Sequence, residues 1–402
     1  MKTQLSKTIL MVALEFPPCQ SAGVQRTLKF AEYLVKFGWR PIVLTVNEDV
    51  YSTVDVQVKI PANVTVYRCK SFDASRDFSV KGKYFAWSKV PDRWWSWAIS
   101  AIPLGKKLIN KYNPDVIWST YPVSTSHYIA YKLHKFSNLP WVSDYRDPLQ
   151  CRYDNNVLRY SSVAKWIERK TIEHSVKTIF TTERAAQMYR RLYPDEQLSK
   201  FVVIENGFDE GNFKEIKVIE KHPYIKFSLL HSGAVYENGR DPTELFNAIA
   251  ELHKESVLSK ENFELIFRGS NRASYTRQLQ ELSISDLVFF KENVSYKESL
   301  AEMAEASGLL LIQGKLFNNQ IPGKAYEYIR CQKPILALTF EKGATGHLLN
   351  SIEGCHVANG VENIKHAIKK MIMKSDTIDR NVSLYSRQAK TQELAELLDT
   401  LC

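Results

Sequence analysis

The chain is predicted to be α/β, with two similar domains that each hold a parallel sheet and face one another across a cleft. Three observations lead there. Short apolar runs rich in β-branched residues alternate with helical stripes, so that Lys7–Leu14, then Leu28, Ala31, Leu34 and Val35, then Pro41–Val46 form a β-α-β unit. The same order of elements restarts at Phe227, after a stretch from 208 to 224 that loses periodicity and gains charge. A length of 402 residues also exceeds what one core usually organises. The expected division is a first domain over 1–207, a linker over 208–224, a second domain over 225–376 and a C-terminal segment, 377–402, whose helix packs back across the interdomain seam.

In the first domain, Lys7–Leu14 is continuous in apolar character, as a strand buried on both faces must be. It runs into the loop EFPPCQSAG, which has no GxGxxG pattern. Gly23 there either lets backbone approach a ligand or makes a plain turn, with Arg26 at the start of the following helix. Further strands are expected at Val64–Tyr67, Asp115–Thr120, Pro140–Ser143, Thr178–Thr181 and Phe201–Ile204. His127 follows the strand Asp115–Thr120 near a helix start, a ligand-facing place in this architecture. Asp144, Tyr145, Arg146 and Asp147 are read as a polar cluster beyond the strand Pro140–Ser143, either a salt-bridged turn or a cleft lining. Between Lys81 and Lys107, Trp87, Trp94, Trp95 and Trp97 are interleaved with Lys81, Lys83, Lys89, Arg93, Lys106 and Lys107. Two readings stand for that stretch: a membrane interface, where rings lie at headgroup depth and cations meet anionic lipid, or tryptophans packing a helix onto the sheet.

In the second domain, strands are expected at Phe227–Leu230, Phe263–Phe267, Leu287–Phe290, Gly308–Ile312 and Pro334–Leu338. His231, Ser232 and Gly233 leave the first of these, Arg240 follows, and Arg268 and Gly269 leave the second. The segment QGKLFNNQIPGKAYEYIRCQKPILALT reads as loop, helix, strand. It carries Asn319 in the loop, Pro322 and Gly323 at the helix start, Lys324 beside them and Glu327 one turn on. Free N–H groups and a lysine at a helix start suit an anion, whereas Glu327 would repel a phosphate and is expected to address hydroxyls such as those of a ribose. The alternative is an ordinary helix N-terminus. Arg240, Arg268 and Lys324 would together place cations and backbone donors around one pyrophosphate.

Composition narrows the partners. A formal net charge of +10 allows an anionic ligand or surface. No zinc-finger spacing or long basic block appears, so no nucleic acid is expected. The six cysteines are scattered without a CxxC pair, which fits a reducing compartment, and no apolar run is long enough to span a bilayer. HxH, HExxH, DxD and GxSxG patterns are missing, so metal dependence and a serine hydrolase elbow are not expected. The expected localisation is cytoplasmic, with peripheral contact at the inner face of the plasma membrane if the tryptophan-rich segment binds lipid.

The stretches EFPPCQSAGVQR, PDRWWSW, the segment carrying His127, SDYRDP, VIENGFD, HSGAVY and IPGKAYEYIRCQKPILAL, in this order, resemble the family 4 glycosyltransferases over nearly the whole length. The resemblance implies the GT-B fold of two Rossmann-like domains, and transfer of a sugar from a nucleotide-sugar donor, usually with retention and without a further cofactor. The donor is bound by the second domain and a saccharide or lipid-linked saccharide acceptor by the first. It further implies that Glu327 is the second glutamate of the E-x7-E motif, that Arg240 and Lys324 meet the diphosphate, that His127 contacts the transferred sugar, and that Gly23 lies near the phosphates. The remaining donor-site residues are then Gly233, Arg268, Asn319 and Gly323. Asn319 stands where the family has its first glutamate, and the usual lysine just beyond Arg240 is missing. Both departures resemble a branch with an IPxK motif associated with bacterial surface polysaccharide assembly. The rival readings are a nucleotide-sugar epimerase or hydrolase of similar fold, told apart by products formed without acceptor, and an inactive nucleotide-sugar-binding assembly protein, told apart by binding without turnover.

Overall fold

In the computed structural model, residues 7–21, 23–55, 57–79, 89–149, 162–214, 216, 226–235, 241–373 and 378–402 are described. The chain divides into two compact units, Met1–Asn206 with Arg387–Cys402, and Gly207–Ser386. Each is a Rossmann-like α/β unit around one parallel sheet.

The first unit contains β1 (Lys7–Val12), β2 (Trp39–Val46), β3 (Thr65–Cys69), β4 (Val116–Tyr121), β5 (Trp141–Tyr145), β6 (Lys177–Phe180) and β7 (Phe201–Val203). Their order is β3-β2-β1-β4-β5-β6-β7, and every neighbouring pair is parallel. Side chains alternate along β1. Ile9 and Met11 enter one apolar cluster with the helix Val24–Leu34, while Leu10 and Val12 enter another with the helix Trp97–Tyr112. Burial on both faces is why these strands are uninterrupted apolar runs. The C-terminal helix Arg387–Asp399 belongs to this unit: Leu394, Ala395 and Leu398 join the cluster of Val24 and Leu28, and Asp399 pairs with Lys7 at 2.9 Å.

The second unit contains β8 (Phe227–Ser232), β9 (Phe263–Arg268), β10 (Val288–Lys291), β11 (Gly308–Ile312), β12 (Ile335–Leu338) and β13 (Cys355–Val357). The order is β10-β9-β8-β11-β12-β13, again parallel throughout. Leu310, Ile312 and Leu336 face one core cluster, and Leu309, Leu311, Ile335 and Ala337 the other. Phe208 and Phe213 are buried in the latter, so apolar anchors occupy a stretch without periodicity. The strand β13 has no counterpart in the sequence reading, because three residues carry too little alternation to register.

Several strands run past their expected ends, and two of these extensions add buried polar residues. β5 extends through Asp144 and Tyr145, both buried, and β8 extends through His231 and Ser232. Asp144 is therefore a buried strand residue with an ion-pair partner rather than part of a polar loop. Among the described residues, no helix is long and apolar enough to cross a membrane.

Candidate functional site

The site is assembled at the carboxyl ends of β8, β9 and β11. Gly233, one residue past β8, has φ +110°, in the region that glycine alone adopts without strain. A Cβ there would lie 2.5 Å from Lys324 Nζ, so the absent side chain is what lets the lysine in. Lys324 is the second residue of the helix Gly323–Arg330, whose N-cap is Pro322, and its ammonium donates to the carbonyl of Ser232 at 2.5 Å. The N–H of Ser232 donates to the Tyr328 hydroxyl of the same helix at 2.9 Å, locking strand end and helix together. A cation at a helix N-terminus opposes the helix dipole, which makes this an electropositive point suited to an anion.

Glu327 lies one turn on. Its Oε1 accepts a 2.7 Å hydrogen bond from the hydroxyl of Tyr296, the first residue of the helix Tyr296–Glu305. A carboxylate held this way keeps lone pairs for ligand hydroxyls.

Arg268 ends β9, and its carbonyl accepts from the N–H of Gly233 at 3.0 Å. Its guanidinium is held by Glu302 in two-point contact, one arm at 2.8 Å, and by the carbonyl of Glu292 at 2.7 Å. The structure thus brings the Arg268 backbone to Gly233 and pairs its side chain with Glu302. Arg240 lies outside the described residues, as do Lys81, Lys83 and Trp87.

Asn319 sits on the loop after β11, and the residue that shapes that loop is Gln313. Buried Gln313 donates to the carbonyls of Phe317 (2.8 Å) and Gln320 (3.0 Å), and its Oε1 accepts from Thr345 Oγ1 at 2.5 Å. Beside this loop, at the ends of β11 and β12, a cavity of about 640 Å³ is lined by Asp241, Gln313, Lys315, Thr339 and Asn359 among others. Lys324 and Gly233 do not line it. They lie toward β8, on the other side of β11.

In the first unit, His127 is in the first turn of the helix Ser124–Ser137 and only 1 % exposed. Trp141 Nε1 donates to Ser119 Oγ at 2.8 Å, and Ser119 Oγ lies 2.8 Å from His127 Nδ1. The indole can only donate, which leaves Ser119 Oγ one lone pair and its proton, so it either donates to Nδ1 or accepts from it according to the ring's tautomer. Among the described residues Nε2 has no hydrogen-bond partner; it is buried among the rings of Tyr121 and Tyr145, the latter with its centroid 4.7 Å away. Burial pushes the imidazole down to about 3, so the ring is neutral at ordinary pH. Gly23 opens the helix Val24–Leu34, and a Cβ on it would strike Arg146 and Glu15, which form a 2.8 Å ion pair against it.

Tyr296, Gln313, Ser119 and Trp141 escaped the sequence reading. Each acts on a residue that only the fold brings near, although the exposed tyrosine at a helix start after β10 was a signal available in the sequence. Among the described residues, no group of His, Cys, Asp or Glu converges as a metal site would require.

Residues 23–211, just under half of the chain, match the model of the family described as Glycosyltransferase Family 4. Solved structures match along nearly the whole length. Sucrose-phosphate synthase from Thermosynechococcus elongatus aligns with TM-score 0.66 at 15% identity, covering 98% of this chain and 99% of the other. The chain has the GT-B fold. This GT-B chain is also similar to a glycosyltransferase from Rickettsia africae (TM-score 0.65, 15% identity, 98% of each chain). It is similar as well to Anabaena HepE, solved in complex with UDP (TM-score 0.64, 14% identity, 98% of this chain and 100% of that one). Among curated proteins, none matches it significantly by sequence.

Proposed function

We propose that the chain transfers a sugar from a uridine diphosphate sugar to a saccharide or lipid-linked saccharide acceptor, with retention, in the assembly of a bacterial surface polysaccharide. The observation that carries the reading is the pairing of Lys324 against Gly233 with Glu327 one turn along the same helix. A cation at a helix N-terminus for a diphosphate then stands beside a carboxylate for a ribose. The uridine base is taken over from the UDP bound to HepE.

In the reaction, the acceptor hydroxyl oxygen bonds to the anomeric carbon on the face from which the diphosphate leaves. The bond from that carbon to the diphosphate oxygen breaks with its electron pair, and the acceptor proton passes to the departing oxygen. Lys324, Arg240 and the N–H groups at Gly323 stabilise the charge that develops on the leaving group, which is where most of the catalysis lies. Glu327 holds the ribose, Gly233 gives the phosphates access to backbone, and Arg268 supports Gly233 through its carbonyl. Asn319 meets the sugar as an amide, Gly23 lies near the phosphates, and His127 contacts the transferred sugar as a neutral imidazole. A metal is not part of this scheme. The acceptor implies a place of work, in the cytoplasm at the inner face of the plasma membrane.

The test is calorimetric titration of nucleoside diphosphates and their sugar conjugates into wild type and Lys324→Ala, followed by determination of the product's anomeric configuration. Selective UDP binding that the substitution weakens, with a retained product, is the expected result. Absence of binding by folded protein overturns the donor site. A covalent sugar adduct on the protein overturns the one-step route.

A further inference from the structure

We propose that the first unit carries a docking face for anionic bilayers, formed by the start of the helix Trp97–Tyr112 and the turn packed on it. Phe72 is 53 % exposed, Phe78 43 % and Ile99 70 %, values that set them apart from the buried aromatic residues of this unit. They are neighbours. The rings of Phe72 and Phe78 are 5.8 Å apart, and that of Trp95 is 6.5 Å from Phe78. Their presentation is held in place, since the N–H of Phe72 donates to Ser96 Oγ at 2.8 Å and the N–H of Ala74 donates to the carbonyl of Arg93 at 2.8 Å. Trp97 turns inward and is fully buried, and Trp94 packs on the same inner cluster, so the tryptophan-rich stretch serves both the core and the surface.

Cations border the rings. Ser100 Oγ donates to the carbonyl of Lys70 at 2.5 Å, which places this exposed lysine beside Ile99. Along the helix, Ile99, Pro103 and Lys107 recur at four-residue spacing and are all exposed, so one face runs from apolar to basic. Lys106 lies over the ring of Phe136 at 4.8 Å, and Phe136 is itself exposed. The nearby acids are engaged inward or locally. Asp77 pairs with Arg76 at 2.6 Å, Asp73 is buried and accepts from the N–H of Ser75, and Asp92 accepts from the N–H and hydroxyl of Thr125. The outward face is aromatic and bordered by Lys70 and Lys107, with the exposed Asp77 neutralised by Arg76, on a chain of net charge +10. Exposed rings bordered by lysines match an anionic lipid surface, where rings lie at headgroup depth and cations meet lipid phosphates. The inference rests on the acceptor reading above only for the reason the chain would visit a membrane.

Co-sedimentation with phosphatidylcholine vesicles, with and without phosphatidylglycerol, tests it on the full chain, using the exposed pairs Phe72→Ser with Phe78→Ser and Lys70→Glu with Lys107→Glu. Wild type should bind the anionic vesicles and release in high salt. The aromatic pair should lose about tenfold in partition, and the charge pair roughly fivefold or more per position on anionic vesicles. Wild-type partition in the aromatic pair, or no binding by wild type, overturns the inference. So does self-association of wild type that either pair abolishes, which would make a second copy the occupant. UDP titration of the same samples keeps the two readings separate. Binding of UDP without vesicles sinks the docking face alone, and binding of vesicles without UDP sinks the donor site alone.

Discussion

The phenol of Tyr296 points its hydrogen bond at Oε1 of Glu327, 2.7 Å away across 31 residues of sequence. The pair fixes one carboxylate oxygen and presents the other. Glu327→Gln turns half of that acceptor into a donor, and UDP affinity should fall by about tenfold, the scale of one charged hydrogen bond. Tyr296→Phe removes only the orienting bond from a half-exposed tyrosine, and a loss of roughly two- to fivefold is expected. Titration of uridine as well as UDP checks the assignment, because a ribose contact weakens both ligands alike.

Lys324 and Gly233 make the complementary prediction. Lys324→Ala should weaken UDP by roughly 10- to 100-fold while leaving uridine nearly unchanged, since a charge-assisted contact to phosphate is lost. Gly233→Ala sets a Cβ 2.5 Å from the lysine ammonium at φ +110°. It should lower stability by about 1–2 kcal/mol through backbone strain and weaken UDP by displacing Lys324. Equal affinity for UDP in both variants and wild type would remove the phosphate role.

Arg268 is expected to behave as a structural residue. Its guanidinium is forked onto Glu302, so Arg268→Ala and Glu302→Ala should each lower thermal stability, and the double variant should be little worse than either single one. UDP affinity should stay within about threefold of wild type in Glu302→Ala if the arginine does not turn to the ligand once released.

His127 gives a pH dependence. Its folded value is pushed down to about 3 by burial, against an ordinary 6.5, so between those values the unfolded chain binds a proton that the folded chain does not. Stability therefore rises with pH through this window and is lost as pH falls below 6.5. The loss amounts to as much as roughly 3 kcal/mol on going from neutral pH to pH 4. Thermal melts from pH 7 to pH 4 should show a flatter slope for His127→Asn than for wild type, whatever its absolute stability. Activity should show no limb from this histidine above pH 5.

The strands were legible because burial on both faces leaves an apolar signature that needs no partner to be read, and observed ends lie within a few residues of those expected. Where polar residues extend a strand the signature fails. Asp144 is paid its charge by Arg26, 118 residues away, and His231 Nδ1 is 2.9 Å from the carbonyl of Leu310. Neither partner is visible locally. The same division runs through the site. Gly233, Gly323 and Lys324 stand out as punctuation around a helix start, whereas Tyr296, Gln313 and Ser119 earn their roles through contacts that only the folded sheet creates.

Arg26 and Asp144 carry the last prediction. Both are nearly sealed from solvent, with the guanidinium 2.7 Å from the carboxylate, and Arg26 also donates to the carbonyls of Ile204 (2.9 Å) and Glu205 (2.9 Å). Thr120 Oγ1 supplies a further bond to Asp144 at 2.9 Å. Arg26→Ala would leave a buried carboxylate without its cation and free two carbonyls at the end of β7. Asp144→Ala would leave the cation. Each should cost about 3–5 kcal/mol, well above an ordinary surface ion pair. Replacing both partners removes the uncompensated charge, so Arg26→Met with Asp144→Leu should be more stable than either single variant in urea denaturation. If instead the double variant falls by the sum of the single losses, the two residues act separately and the ion pair is not the anchor of this corner of the sheet.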